Sequence, residues 1–201
     1  MPQFKKAPAN FRSWSLCLVL LVTSLGCTDL VAPASNALPI PHLEISCELA
    51  TGWEVDQSVP IIDPAKGGLL MRLQPRDRIS GSPRLEVRLD PLRVKAVSLE
   101  AFVKETVDSL KKVKGGGAAK TVQIQETQTQ LMGLPAVRID HHYTIGHEMT
   151  QFSVSQSSWF TMIGGRATVF SVSGRTELTT PRMGEIESVL NSLATVTASK
   201  G

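Results

Sequence analysis

From Val122 to Ser173 the apolar residues keep a period of two, and no other feature restricts the fold as much, because successive side chains of a strand point to opposite faces. Val122 and Ile124 alternate with Thr121, Gln123 and Gln125. After Gly133-Leu134-Pro135, the residues Val137, Ile139, His141, Tyr143 and Ile145 share one face of a second strand, while Arg138, Asp140, His142 and Thr144 share the other. Gly146 opens a turn into residues 149 to 163, Gly164-Gly165 makes another, and residues 168 to 173 return. The spacing predicts an antiparallel meander of four strands.

Helical periodicity flanks the meander. Leu99, Phe102, Val103, Val107, Leu110 and Val113 recur at helical spacing behind Ser98, a plausible N-cap, with Glu100 in the first turn and Lys111, Lys112 and Lys114 near the end. Gly115-Gly116-Gly117 closes this helix and does not open one, so it reads as a C-cap and linker. At the far end Thr180-Pro181 predicts an N-cap with proline in the first turn, ahead of Ile186, Val189, Leu190 and Leu193. Upstream, residues 43 to 48, 52 to 55, 69 to 73 and 85 to 89 read as four shorter strands. The fold class expected is α+β, a mostly antiparallel sheet with two main helices packed on it.

The amino-terminal segment belongs to another purpose. Lys5, Lys6 and Arg12 are its only charges before residue 27, and residues 14 to 25 form an apolar run followed by Gly26, Cys27, Thr28 and Asp29. Crossing the hydrocarbon of a bilayer takes about 20 apolar residues, so this run reads as the core of an export signal spanning residues 1 to 26. Leu25-Gly26-Cys27 resembles a bacterial lipoprotein signal, which makes Cys27 the acylated first residue of the mature chain, although Ser24 stands where that family prefers leucine. Cleavage by ordinary signal peptidase at Ala32-Pro33-Ala34 is the alternative, and it would release a soluble periplasmic or secreted domain. Residues 27 to 42, with Pro33, Pro39 and Pro41, read as lipidation site and tether, and residues 43 to 201 as one domain.

The order of elements resembles the PsbP-like fold shared by the extrinsic P subunit of photosystem II and DcrB-type bacterial lipoproteins. The matching residues are Gly52-Trp53, Ser98-Leu99-Glu100-Ala101-Phe102, Gly133-Leu134-Pro135-Ala136-Val137-Arg138 and Asn191-Ser192-Leu193. The resemblance covers about residues 43 to 196 and implies an α/β/α sandwich, while no residue set that would carry photosynthetic function is present.

Charge and motif then narrow the chemistry. Three of the 21 basic residues lie in the leader, so the remaining 18 balance 18 acidic residues. With export and no aromatics clustered near the arginines, nucleic acid is disfavoured as a partner. The distribution is uneven: residues 27 to 65 hold no base, and Arg72, Arg76, Arg78, Arg84, Arg88 and Arg93 dominate the block that follows. Arg72, Arg76, Arg78 and Arg88 are candidate ligands for an anionic group, or else partners of the acidic stretch beside them. His142, His147 and Glu148 are candidate zinc or copper ligands, with adjacent His141 on the opposite strand face. Cys47 is the only thiol past Cys27 and alternates with Leu43 and Ile45, which predicts burial. No G-x-S-x-G, phosphate-loop or dinucleotide motif occurs, so neither a catalytic residue nor a cofactor is expected. These features predict a lipid-anchored, non-enzymatic accessory protein of a bacterial cell envelope that binds an envelope protein. A small-ligand or metal carrier is the alternative.

Overall fold

The period-two stretch forms the long half of a seven-stranded antiparallel sheet. A computed structural model of the chain describes residues 37–58, 67–90, 98–112, 119–146 and 151–196. In chain order its elements are β1 (Ala37–Pro39), β2 (Ile45–Glu48), β3 (Trp53–Val55), β4 (Gly68–Pro75), β5 (Arg84–Leu89) and α1 (Leu99–Lys112). There follow β6 (Ala119–Leu131), β7 (Leu134–Ile145), β8 (Phe152–Ile163), β9 (Arg166–Arg175), the single turn α2 (Thr176–Thr179), α3 (Met183–Asn191) and β10 (Ala194–Thr195). The main sheet runs β3-β4-β5-β9-β8-β7-β6, with β9 of the meander closing against β5 of the earlier hairpin. The fold is α+β, as the alternation and the two helical stretches predict.

Each sheet face buries against a different cover. On one face Trp53, Leu73, Leu85, Val87, Phe170 and Val172 pack with Ile186, Val189 and Leu190 of α3. The indole Nε1 of Trp53 donates to Glu185 of α3 at 2.6 Å, a hydrogen bond to a charged acceptor that contributes about 1.5–3 kcal/mol. On the other face Val103 and Val107 of α1 cover Val137, Ile139 and Phe160, with Phe102 edge-on to Phe160 at 5.4 Å. Ser98 caps α1 as its sequence position predicts, its Oγ accepting from the amide of Ala101 at 3.2 Å.

Three features differ from the sequence reading. The strand at residues 45–48 leaves the main sheet and forms a separate one in the order β1-β2-β10. Ala37–Pro39 pairs with it and Ile40 is buried, so the last residues of the Pro-rich stretch belong to the domain and not to the tether. Thr180 caps nothing through its side chain: β9 runs straight into α2, Thr180–Arg182 form a 3₁₀ turn that accommodates Pro181, and α3 begins only at Met183. The leader, Cys27, His147 and Glu148 lie outside the described residues. No described helix is long and apolar enough to cross a membrane.

Candidate functional site

Helix α1 covers only the middle of its sheet face and leaves a depression on either side. Strand pairing shows why, because it lines up transverse rows of side chains beneath the helix. In one row Arg72, Glu86, Ser171, Ser158, Ile139 and Glu126 stand opposite one another from β4 to β6. In the next, Arg84, Ser173, Gln156, His141 and Ile124 do so from β5 to β6. Both rows are polar across β5, β9 and β8, and apolar residues enter only farther on, at Ile139 of β7 in the first and Ile124 of β6 in the second. The helix takes the apolar part, since burying unpaired polar groups beneath it would cost free energy.

Beyond the β5 side of α1 lies a half-open basin with a volume of about 380 Å³. Glu86, Arg88, Thr106, Gln156, Ser158, Ser171, Ser173 and His141 contribute its polar lining, and Leu110, Ile139, Phe160 and Val169 its apolar wall. Glu86 is saturated: Arg72 Nη2 stands 2.8 Å from Oε1 and Arg88 Nη2 stands 2.7 Å from Oε2. Burial pushes the Glu86 carboxyl up, and the two guanidiniums outweigh it, leaving the pKa below the usual value. Arg72 also reaches Asp56 at 3.2 Å. The hydroxyl and amide of Ser58, with Arg72 behind them, hold the Asp56 carboxyl down at about 2.

His141 is 6% exposed and stacks on Tyr143 at 5.4 Å between ring centroids. Its Nδ1 has no hydrogen-bond partner, and burial, reinforced by His142, holds its pKa below the ordinary value against the opposing charge of Asp140. Adjacent His142 is exposed and faces the other way, as strand alternation requires. Among the described residues no group of three or more His, Cys, Asp or Glu is placed to hold a metal ion.

Of the four candidate arginines, Arg72 and Arg88 meet at Glu86, Arg78 pairs separately with Glu54 at 2.7 Å, and Arg76 is an exposed turn residue. They do not form one patch. Cys47 is buried in the small sheet, and burial pushes its thiol up to about 11. The serines of the basin carry no local signature. What marks them is polar residues at alternate positions on both faces of β8, a strand at the middle of a sheet.

On the other side of α1, a groove of about 760 Å³ runs between the helix and β6. Val103, Val107 and Val137 floor it, and Glu100, Lys104, Asp108 and Lys111 rim it. β6 itself is the terminal strand of the sheet, 13 residues long, with β7 as its one paired neighbour among the described residues. Gln125, Thr127 and Gln128 along it are exposed. The opposite edge, β3, has three residues.

No protein-family model matches the chain, and no curated protein matches it. Solved structures do. A crystal structure of LpqN, involved in cell envelope biogenesis of Mycobacterium tuberculosis, is similar over 75% of this chain and 82% of its own, at 10% identity and a TM-score of 0.46. The solution structure of cyanobacterial PsbP from Synechocystis sp. PCC 6803 is similar over 76% of this chain and 86% of its own, at 10% identity and a TM-score of 0.46. A protein of unknown function from Pseudomonas aeruginosa is similar over 60% of this chain and 87% of its own, at 11% identity and a TM-score of 0.43.

Proposed function

We propose that this chain is an exported accessory protein of a bacterial cell envelope, anchored by lipid at Cys27, which works by binding an extended segment of an envelope protein and performs no catalysis. The observation that carries the reading is the long open edge of β6. Its outward amides and carbonyls are a template for an added strand, and proteins usually shorten, charge or cover such an edge. β6 keeps 13 residues with Lys120 and Glu126 as its only charges. The groove beside it, apolar in its floor and charged at its rim, would receive alternate side chains of the incoming strand. The leader and the Leu25-Gly26-Cys27 sequence support the anchor.

The test is site-specific. A photo-crosslinking residue at Thr127, in cells carrying the full-length protein, should trap one defined envelope partner, and the same residue at Glu54 on the opposite edge should trap none. Gln125→Lys with Thr127→Lys, which put two charges on the edge, should abolish a crosslink made from Thr129. Equal trapping from both edges, or trapping that survives the lysines, refutes the binding mode. Mass spectrometry of the mature amino terminus tests the anchor: acylated Cys27 supports it, and a chain starting at Ser35 overturns it.

A further inference from the structure

Ser158 and Ser171 stand opposite each other on β8 and β9, and Gln156 and Ser173 form the neighbouring pair. The result is a two-by-two array of neutral polar groups, three serines and a glutamine, on a face where sheet residues normally meet a covering helix. No hydrogen bond within the described residues uses the hydroxyls of Ser171 and Ser173. Ser158 Oγ accepts one long bond from Gln156 Nε2 at 3.4 Å. His141, beside Gln156 on β7, lines the same basin with its buried Nδ1 unpartnered. A buried polar atom left unpaired costs about 1–3 kcal/mol, so the basin holds capacity that the fold itself does not satisfy.

The charges at the basin, Glu86 and Arg88 in its lining with Arg72 and Asp56 behind them, are matched among themselves and favour a neutral ligand. Arg72 and Arg88 are matched by Glu86 and Asp56, and the groups with capacity to spare are hydroxyl, amide and imidazole. Each of these can donate and accept, which suits a ligand whose own polar atoms do both. The wall of Leu110, Ile139, Phe160 and Val169 suits a ligand that also carries C–H surface. A sugar ring combines the two, with hydroxyls around its edge and C–H groups on its faces. The volume of about 380 Å³ lies in the range of small-molecule sites.

We propose that this basin is a binding site for a neutral saccharide, with Ser171, Ser173, Gln156 and His141 engaging its hydroxyls and Leu110 and Phe160 its C–H face. The site is separate from the β6 edge, so the two can fail independently. The test uses the purified full-length protein in a detergent without a sugar headgroup, probed by saturation-transfer NMR and calorimetry with methyl glucoside, N-acetylglucosamine and maltotriose. At least one should bind in the millimolar range or tighter. Maltotriose binding more tightly than methyl glucoside assigns the site to a glycan chain, and equal binding assigns it to a single ring. Ser171→Val with Ser173→Val should weaken binding about tenfold, the loss of two neutral hydrogen bonds, while Thr127→Lys leaves it unchanged. Gln156→Leu, which preserves side-chain size, gives the same readout if the double variant does not fold. Absence of saturation transfer from all three sugars, binding unaffected by these variants, or displacement by inorganic phosphate would each overturn the proposal.

Discussion

His141→Phe converts the buried ring into a measurement. The unfolded chain binds a proton near the ordinary histidine value of 6.5, whereas the folded chain binds it only at lower pH because the ring is buried. A group that protonates more readily when unfolded makes stability rise with pH, so stability is complete above 6.5 and falls as pH drops from there toward the folded-state pKa. One proton limits the slope to about 1.4 kcal/mol per pH unit, and the loss between pH 6.5 and 5 is therefore capped at about 2 kcal/mol. Phenylalanine keeps a ring against Tyr143 and removes both the titration and the unpartnered Nδ1. Urea unfolding at pH 7 should place the variant within about 1 kcal/mol of the parent. At pH 5 the variant should be the more stable, by up to about 2 kcal/mol. Asp56 and Glu86 act in another window: both pKa values are depressed, so their stabilisation is present above the unfolded values of 3.8 and 4.5 and is lost as pH falls below them. Parent and variant curves that stay parallel from pH 7 to pH 5 would refute the reasoning, because the ring would then be titrating normally.

Two further outcomes follow from the packing. Cys47, buried with its thiol pushed up to about 11, should resist a disulfide reagent at pH 8 in the native protein and react at once in urea; native labelling at the rate of a free thiol would contradict its placement. Gly174→Ala would set a Cβ 2.8 Å from Pro83 Cα and 2.6 Å from Thr179 Oγ1, so it should cost about 1–3 kcal/mol and lower Tm by roughly 2–4 °C for each, as calorimetry would show; an unchanged Tm would mean that the β9 to α2 junction yields freely.

The meander and α1 are legible in the sequence because each rests on a repeat long enough to declare its period, over twelve residues in β7 and fourteen in α1. The small sheet is not, since β10 contributes two residues and a period needs more than that. The same limit governs the site. Arg72 and Arg88 are visible as a basic block, and Glu86 stands two residues from Arg88 on β5, but Glu86 faces Arg72 only through the β4–β5 register, and Asp56 arrives from the end of β3. The basin is assembled from residues 86 to 173 by strand order. Only His141, already assigned to the Tyr143 face by alternation, carried a local hint of it.

The small sheet also decides how the domain bears a pull. Pro39 and Ala194 both pair with Ser46, one on each side of β2, so β1 and β10 lie two strand spacings, about 10 Å, apart. Tension arriving through the amino-terminal segment therefore falls first on three residues of β1, which can peel from β2 one pair at a time. The seven strands that carry the basin and the open edge pair with none of the strands of this small sheet. Fraying of β1 would leave the pairing of the main sheet untouched, because the two sheets share no strand.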